Sequence, residues 1–256
     1  MDARAIADEL LVARRERKAI LPFTDANPFF SVETAYEVQR FGIEDRLAEG
    51  HRVVGAKLGL TSRVKREAMG IHEPLYGWLT SDMVHPSGER LPLDELIAPR
   101  AEPEIAFLLG DVPQAPATVP GVLAATAAVF AAIEVVDSRY RDFRFRLSDS
   151  VADDAGAGRV VLGPRACPPT EVENLRLVGC VLRARGEVVG TAASAAVMGH
   201  PAAAVAWLVN ALAARGESLE KGMVVLSGGL TTPVSLSAGS VVSAEFDGLG
   251  SVEVHC

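Results

Sequence analysis

Over the first fifty residues, apolar positions recur at helical spacing among charges. Ile6, Leu10, Ala13 and Ile20 fall on one face of residues 2–20, the pattern of an amphipathic helix. A second helical pattern covers Thr34–Leu47, with Ser31 a candidate N-cap before it and Gly50 a stop after it. From Val53 onward the texture changes. Short apolar runs (VVGAKLGL, EIAFLLG, AAIEVVDS, RVVLG, LVGCVLRARGEVVGTA, MVVLSGG, SVVSAEFDGLGSVEVH) stand between Gly, Pro and Asp and predict strands. RGEV at 185–188 and Asp247-Gly248 predict hairpin tips. Two helices are predicted inside this region: the alanine-rich Pro201–Arg215, closed by Gly216, and a stretch from Gly121 to Ala131. The expected class is α+β. A helical N-terminal segment, 1–50, precedes a mixed, mainly antiparallel β core over 51–256, all in a single domain.

Composition narrows the partners. The 256 residues are 49% hydrophobic and 23% charged, as in an ordinary folded domain. Lys plus Arg number 25 against 33 Asp plus Glu, a net charge of −8 without a basic block, which speaks against nucleic acid and anionic membranes. The N-terminus is charged throughout and lacks a signal-peptide core. The apolar stretch Val119–Ile133 is too short to span a bilayer and contains Pro120 and Gly121. Cys167, Cys180 and Cys256 are odd in number and lack CxxC spacing, so free thiols and a cytoplasmic location are expected. No GxGxxG follows a strand, and Walker A, HExxH and GxSxG motifs are absent.

The chemistry-bearing residues are mostly carboxylates. If the strand of Glu104–Leu109 extends back to Glu102, alternation puts Glu102 and Glu104 on one face. Two such neighbours are tolerable at a solvated edge, or with a cation between them, and all-oxygen ligands would select a hard ion. Glu134 lies inside an apolar strand and needs a partner, an Arg or that same cation. Lys57, between Gly55 and Gly59, either snorkels outward or points into a pocket. Asp137-Ser138-Arg139 offers an anion-binding guanidinium or a salt-bridged turn. The loop from Val151 to Gly158, with Asp153 and two glycines, allows close backbone approach. Leu226–Thr232, with Gly229 and Thr231, could present N–H groups to a carboxylate or be plain turn geometry. The five histidines have no ligand spacing.

In order along the chain stand GAKLGLTS, Met69-Gly70, Pro74-Leu-Tyr-Gly77, PRAEPEIAFLL, EVVDSR, VAD, VLG, GHPAAAVAWLVNALA and LSGGLT. This set, with AYEVQR at 35–40, resembles the 2-hydroxypenta-2,4-dienoate hydratase and 2-oxo-3-hexenedioate (4-oxalocrotonate) decarboxylase family over nearly the whole chain. That family belongs to the wider fumarylacetoacetate hydrolase-like group. The resemblance implies a β-roll or barrel-like core and a divalent ion, Mg²⁺ or Mn²⁺, on Glu102, Glu104 and Glu134. It also implies that Lys57 faces a small dianionic 2-oxo acid. Arg139, Asp153, Gly229 and Thr231 are then candidates to hold that acid. The implied activity is a lyase of aromatic-compound breakdown, removing CO₂ from 2-oxo-3-hexenedioate to leave 2-hydroxypenta-2,4-dienoate. Asp137-Ser138-Arg139 looks like the decarboxylase branch, and Leu75 stands where hydratases tend to carry Asp. The alternatives are hydration of the dienoate, another 2-oxo acid reaction of the superfamily, or a non-catalytic partner subunit. A homo-oligomer, or a complex with a partner hydratase, is expected. The loop at 152–158 departs from the family's Ala-Asp-Asn-Ala-Ser-Ser-Ser: it reads Ala-Asp-Asp-Ala-Gly-Ala-Gly, without the amide and hydroxyls.

Overall fold

The computed structural model describes residues 2–256. Helix α1 (Ala3–Glu16) begins where the Asp2 side chain accepts the Arg4 N–H and ends at left-handed Arg17. A short helix α2 (Phe23–Ala26) leads to α3 (Val32–Ala48), capped by Ser31, which accepts the Thr34 N–H. The helical front is not a separate body. Ile6, Leu10, Ala35 and Val38 pack in one apolar cluster with Leu75, Tyr140, Val151 and Ala155 from the rest of the chain. Buried Gln39 on α3 donates to the carbonyls of Tyr76 and Val151, each at 3.0 Å, which fixes the front against the β core.

The core then runs through β1 (Val53–Gly59), α4 (Arg63–Met69), β2 (Leu75–Thr80), β3 (Arg100–Leu109), α5 (Val119–Ala125) and β4 (Thr126–Val136). It continues with α6 (Leu147–Ala152), β5 (Ala157–Leu162), β6 (Gly179–Ala184), β7 (Glu187–Ala193), α7 (Pro201–Ala213) and β8 (Val224–Leu226). It closes with β9 (Val234–Ser235), β10 (Val241–Phe246) and β11 (Gly250–His255). A mixed seven-stranded sheet has the order β2-β1-β8-β3-β4-β5, with β9 also on β3. Its only parallel pair among the described residues is β1 with β8. An antiparallel four-stranded sheet, β11-β10-β6-β7, packs β10 and β11 against β4.

Both hairpin tips form. Arg185 and Gly186 have φ of 53° and 83°, as a two-residue primed turn needs, and Gly248 sits in the β10–β11 turn at 72°. The helix expected from Gly121 to Ala131 stops at Ala125. Residues 126–136 pair with β3 along its length, so sheet pairing overrides alanine's helix preference. Among the described residues, one helical stretch, Ser194–Ala213, is long and apolar enough to cross a membrane. It is broken by left-handed Met198 and Gly199, and its Ala202, Val205, Leu208 and Leu212 belong to the main core. All three cysteines are buried and unpaired with one another.

Candidate functional site

Strand alternation turns Glu102 and Glu104 to the same face of β3, and the β3–β4 register sets Glu134 directly opposite Glu102. One carboxylate oxygen of each lies within 4.8 Å of the others. Glu104 and Glu134 are fully buried, at 0% and 1% exposure, and Glu102 is half-buried. Lys57 reaches the cluster from β1, joined to β3 through β8: Lys57 pairs with Leu226, which also pairs with Ala106. Its Nζ is 3.1 Å from Glu134 Oε1 and donates to the Ala155 carbonyl at 3.0 Å. Among the described residues the ion-pair partner of Glu134 is therefore a lysine, not an arginine.

After Leu226 the chain leaves the sheet and crosses over the carboxylates. The Gly228 N–H donates to Glu104 Oε2 at 2.6 Å. Gly228 has φ of 108°, and a Cβ there would stand 2.1 Å from Thr61 Oγ1; one on Gly229 would stand 2.8 Å from the Glu102 carboxylate. Only glycines let this segment lie so close. The backbone N–H offered by this loop thus meets the protein's own Glu104.

Among the described residues, the Lys57 ammonium is the cation that meets the two fully buried carboxylates, Glu104 and Glu134. Glu104 Oε1 and both Glu134 oxygens lack a well-directed hydrogen-bond donor among the described residues. Burial, then the Glu134 and Glu102 carboxylates, hold Glu104 well above the usual carboxylate range, and burial raises Glu134 as well. Burial disfavours the Lys57 ammonium, yet the three carboxylates outweigh it and keep the amine protonated. Orphaned buried carboxylate oxygens of this kind fit a hard divalent cation.

Beside the cluster lies a cavity of about 170 Å³, reached by Lys57 and Glu102. Its walls are mainly apolar, including Leu60, Ile71, Leu75, Phe143 and Phe145, with Ser138, Ser150 and Arg146 as the other polar groups of note. Of the two readings of Asp137-Ser138-Arg139, the structure shows the salt-bridged turn. The Arg139 guanidinium is buried and bonded to the Asp153 carboxylate and to the carbonyls of Asp137, Asp153 and Ala157, so its donors brace the loop. Asp153 borders the cavity, but its carboxylate is taken up by Arg139; burial lifts it to about 6 despite that partner. Asp137 accepts the N–H groups of Ile97 and Ala98 at 3.0 and 2.7 Å, so only Ser138 of the Asp-Ser-Arg segment faces the cavity. Gly229 lies on Glu102, and Thr231 packs on Gly190 of β7; from their loop the cavity wall takes Pro233 instead. Sequence reasoning missed Arg146. Alternation of Phe143 and Phe145 with Arg144 and Arg146 is the signal that could have found it.

The model of the fumarylacetoacetate (FAA) hydrolase C-terminal family matches residues 52–256. The chain belongs to this family. Its FAA hydrolase relatives carry two kinds of name. A 2-hydroxypent-2,4-dienoate hydratase of Pseudomonas putida is 43% identical over 209 residues, 81% of this chain and 94% of that protein. A 4-oxalocrotonate decarboxylase of Pseudomonas sp. (strain CF600) is 38% identical over 256 residues, 98% of this chain and 95% of that protein. Among solved structures, the 4-oxalocrotonate decarboxylase of Pseudomonas putida G7, complexed with magnesium and adipate, superposes with a TM-score of 0.95 at 35% identity. The match covers 99% of this chain and 96% of that one. Both kinds of name denote lyases, so the family is one of enzymes.

Proposed function

We propose that the chain is a divalent-metal-dependent lyase that removes CO₂ from 2-oxo-3-hexenedioate (4-oxalocrotonate), leaving 2-hydroxypenta-2,4-dienoate. The observation that carries this reading is the Glu102–Glu104–Glu134 cluster with Lys57, opening on a small cavity with apolar walls. The three carboxylates would hold Mg²⁺ or Mn²⁺, in keeping with the magnesium named in the related decarboxylase structure. When bound, such an ion supplies Lewis-acid polarisation of a 2-oxo group.

The chain's own residues account for the rest. Breaking C5–C6 releases CO₂ and moves the electron pair through C4 and C3 onto the C2 oxygen, giving a dienolate. Lys57, whose ammonium lies beside the cluster and lines the cavity, donates to that oxygen as charge builds and delivers the proton that makes the enol. Leu60, Ile71, Leu75 and Phe145 remove water from the far carboxylate. Its charge is costly there, and neutral CO₂ relieves that cost. Arg146, exposed at the cavity's edge, draws in the dianion. Leu75 in this wall supports decarboxylation, because it offers no group to handle an added water. Hydration of the dienoate is the second reading, supported by the hydratase relative at 43% identity.

The test follows CO₂ release from 2-oxo-3-hexenedioate with Mg²⁺ and after chelation. Metal-dependent CO₂ release supports the first reading. Disappearance of separately added 2-hydroxypenta-2,4-dienoate, with no CO₂ released from 2-oxo-3-hexenedioate, supports the second. Arg146→Met is expected to raise KM for the dianion about tenfold while leaving that for a monoanionic dienoate within about twofold. Association into a homo-oligomer or with a partner hydratase belongs to the same reading, and light scattering on the mixed proteins tests it.

A further inference from the structure

Lys57 stands opposite Gly77 in the β1–β2 register. A Cβ on Gly77 would lie 2.4 Å from the Asp154 carbonyl oxygen and 2.9 Å from Asp154 Oδ1, so segment 154–156 rests directly on β2 there. Strand β2 is an edge of its sheet, and Asp154 Oδ1 accepts an outward N–H of that edge, from Trp78, at 2.7 Å. Asp154, Ala155 and Gly156 are all left-handed, with φ of 51°, 54° and 70°. Two successive non-glycine residues in that region persist only where surroundings hold them. The turn delivers the Ala155 carbonyl to Lys57 Nζ at 3.0 Å. The ammonium also lies 3.1 Å from Glu134, and Lys57 lines the cavity beside the cluster.

We propose that Asp154 and Gly77 form a clamp that aims the Lys57 ammonium at the substrate. Asp154 is a positioning residue. It does not line the cavity, and it acts through the Trp78 N–H and the Ala155 carbonyl. The clamp rests on the reading of Lys57 as the group that meets the 2-oxo acid. It also gives the altered 152–158 loop a role: the family's lost hydroxyls are not needed for it, because the acceptor on Lys57 is backbone. An amide oxygen at 154 would accept the Trp78 N–H as a carboxylate oxygen does.

The test compares Asp154→Ala, Asp154→Asn and Gly77→Ala in the full metal-loaded chain. It reads kcat, KM and the protected ¹⁵Nζ–H signal of Lys57, assigned by its loss in Lys57→Met. Asp154→Ala is expected to lower kcat about 100-fold with KM within about threefold, and to lose the Lys57 signal. Asp154→Asn recovers both, to within about threefold of the parent in kcat. Gly77→Ala behaves as Asp154→Ala, because its new Cβ lifts the loop. Where Asp154→Ala melts below the assay temperature, Asp154→Ser answers the same question. The clamp is overturned if folded Asp154→Ala keeps its kcat, if Asp154→Asn fails alongside it, or if kcat falls while the Lys57 signal stays. If the parent turns over neither acid but the Lys57 signal follows this pattern, the clamp stands and the reaction assignment falls.

Discussion

Glu104 shows what burial asks of a single side chain. Its Oε2 accepts the Gly228 N–H, whereas Oε1 has no directed donor among the described residues. Glu104→Gln keeps the accepting oxygen and removes one charge. The variant is expected to be more heat-stable than the parent in chelator and to bind Mn²⁺ at least about tenfold more weakly. Melting curves in chelator and a Mn²⁺ titration check both halves. Asp154 carries a pH signature. Burial lifts its carboxyl to about 7, and its Oδ2 has no partner among the described residues. The folded state thus prefers the protonated form, so this group's contribution is complete below about 4 and is lost as pH rises through about 7. Asp154→Asn removes that loss. Between pH 5 and pH 8 its melting temperature is expected to fall several degrees less than the parent's. Asp153, lifted to about 6, leaves the same sign of dependence behind in both proteins.

Elements place these residues through features that sequence shows unevenly. Alternation alone puts Glu102 and Glu104 on one face, and Ser31 announces α3 by a capping side chain. The alanines after Gly121 announce a helix that the β3 pairing cancels. The link from the end of β4 into α6 depends on Arg139, whose bonds reach Asp153 and three carbonyls. Nothing in Asp-Ser-Arg says which of the three faces the cavity, because the turn after β4 decides it. Arg139→Met would leave the Asp153 carboxylate buried without its cation. A loss of about 3–5 kcal/mol is expected in urea unfolding above pH 7, and a smaller one at pH 5, where Asp153 takes up a proton. Equal losses at the two pH values would contradict the brace.

At the scale of the molecule, the site closes only when four separate stretches meet. Lys57 arrives on β1, Glu102 and Glu104 on β3, Glu134 on β4, and the glycine pair on the segment after β8. A cation held there links these stretches, so metal binding should stabilise the whole fold. At a hundred times Kd, Mn²⁺ is expected to add about 2.7 kcal/mol. For a chain of this size that raises Tm by about 5–10 °C. Chelator should reverse the shift, and Glu134→Gln should abolish it. Periodicity, capping residues and turn dipeptides act over a few neighbours, so the chain's local text already carries α1, α3 and α7, its two hairpin tips and the shared face of Glu102 and Glu104. The pairing of Glu134 with Glu102, the lysine beside it, the inward bracing of Arg139 and the wall position of Arg146 depend on strand order and register between distant segments. No local spacing encodes them, because sheet hydrogen bonds and close packing choose the partner only when the whole chain is folded.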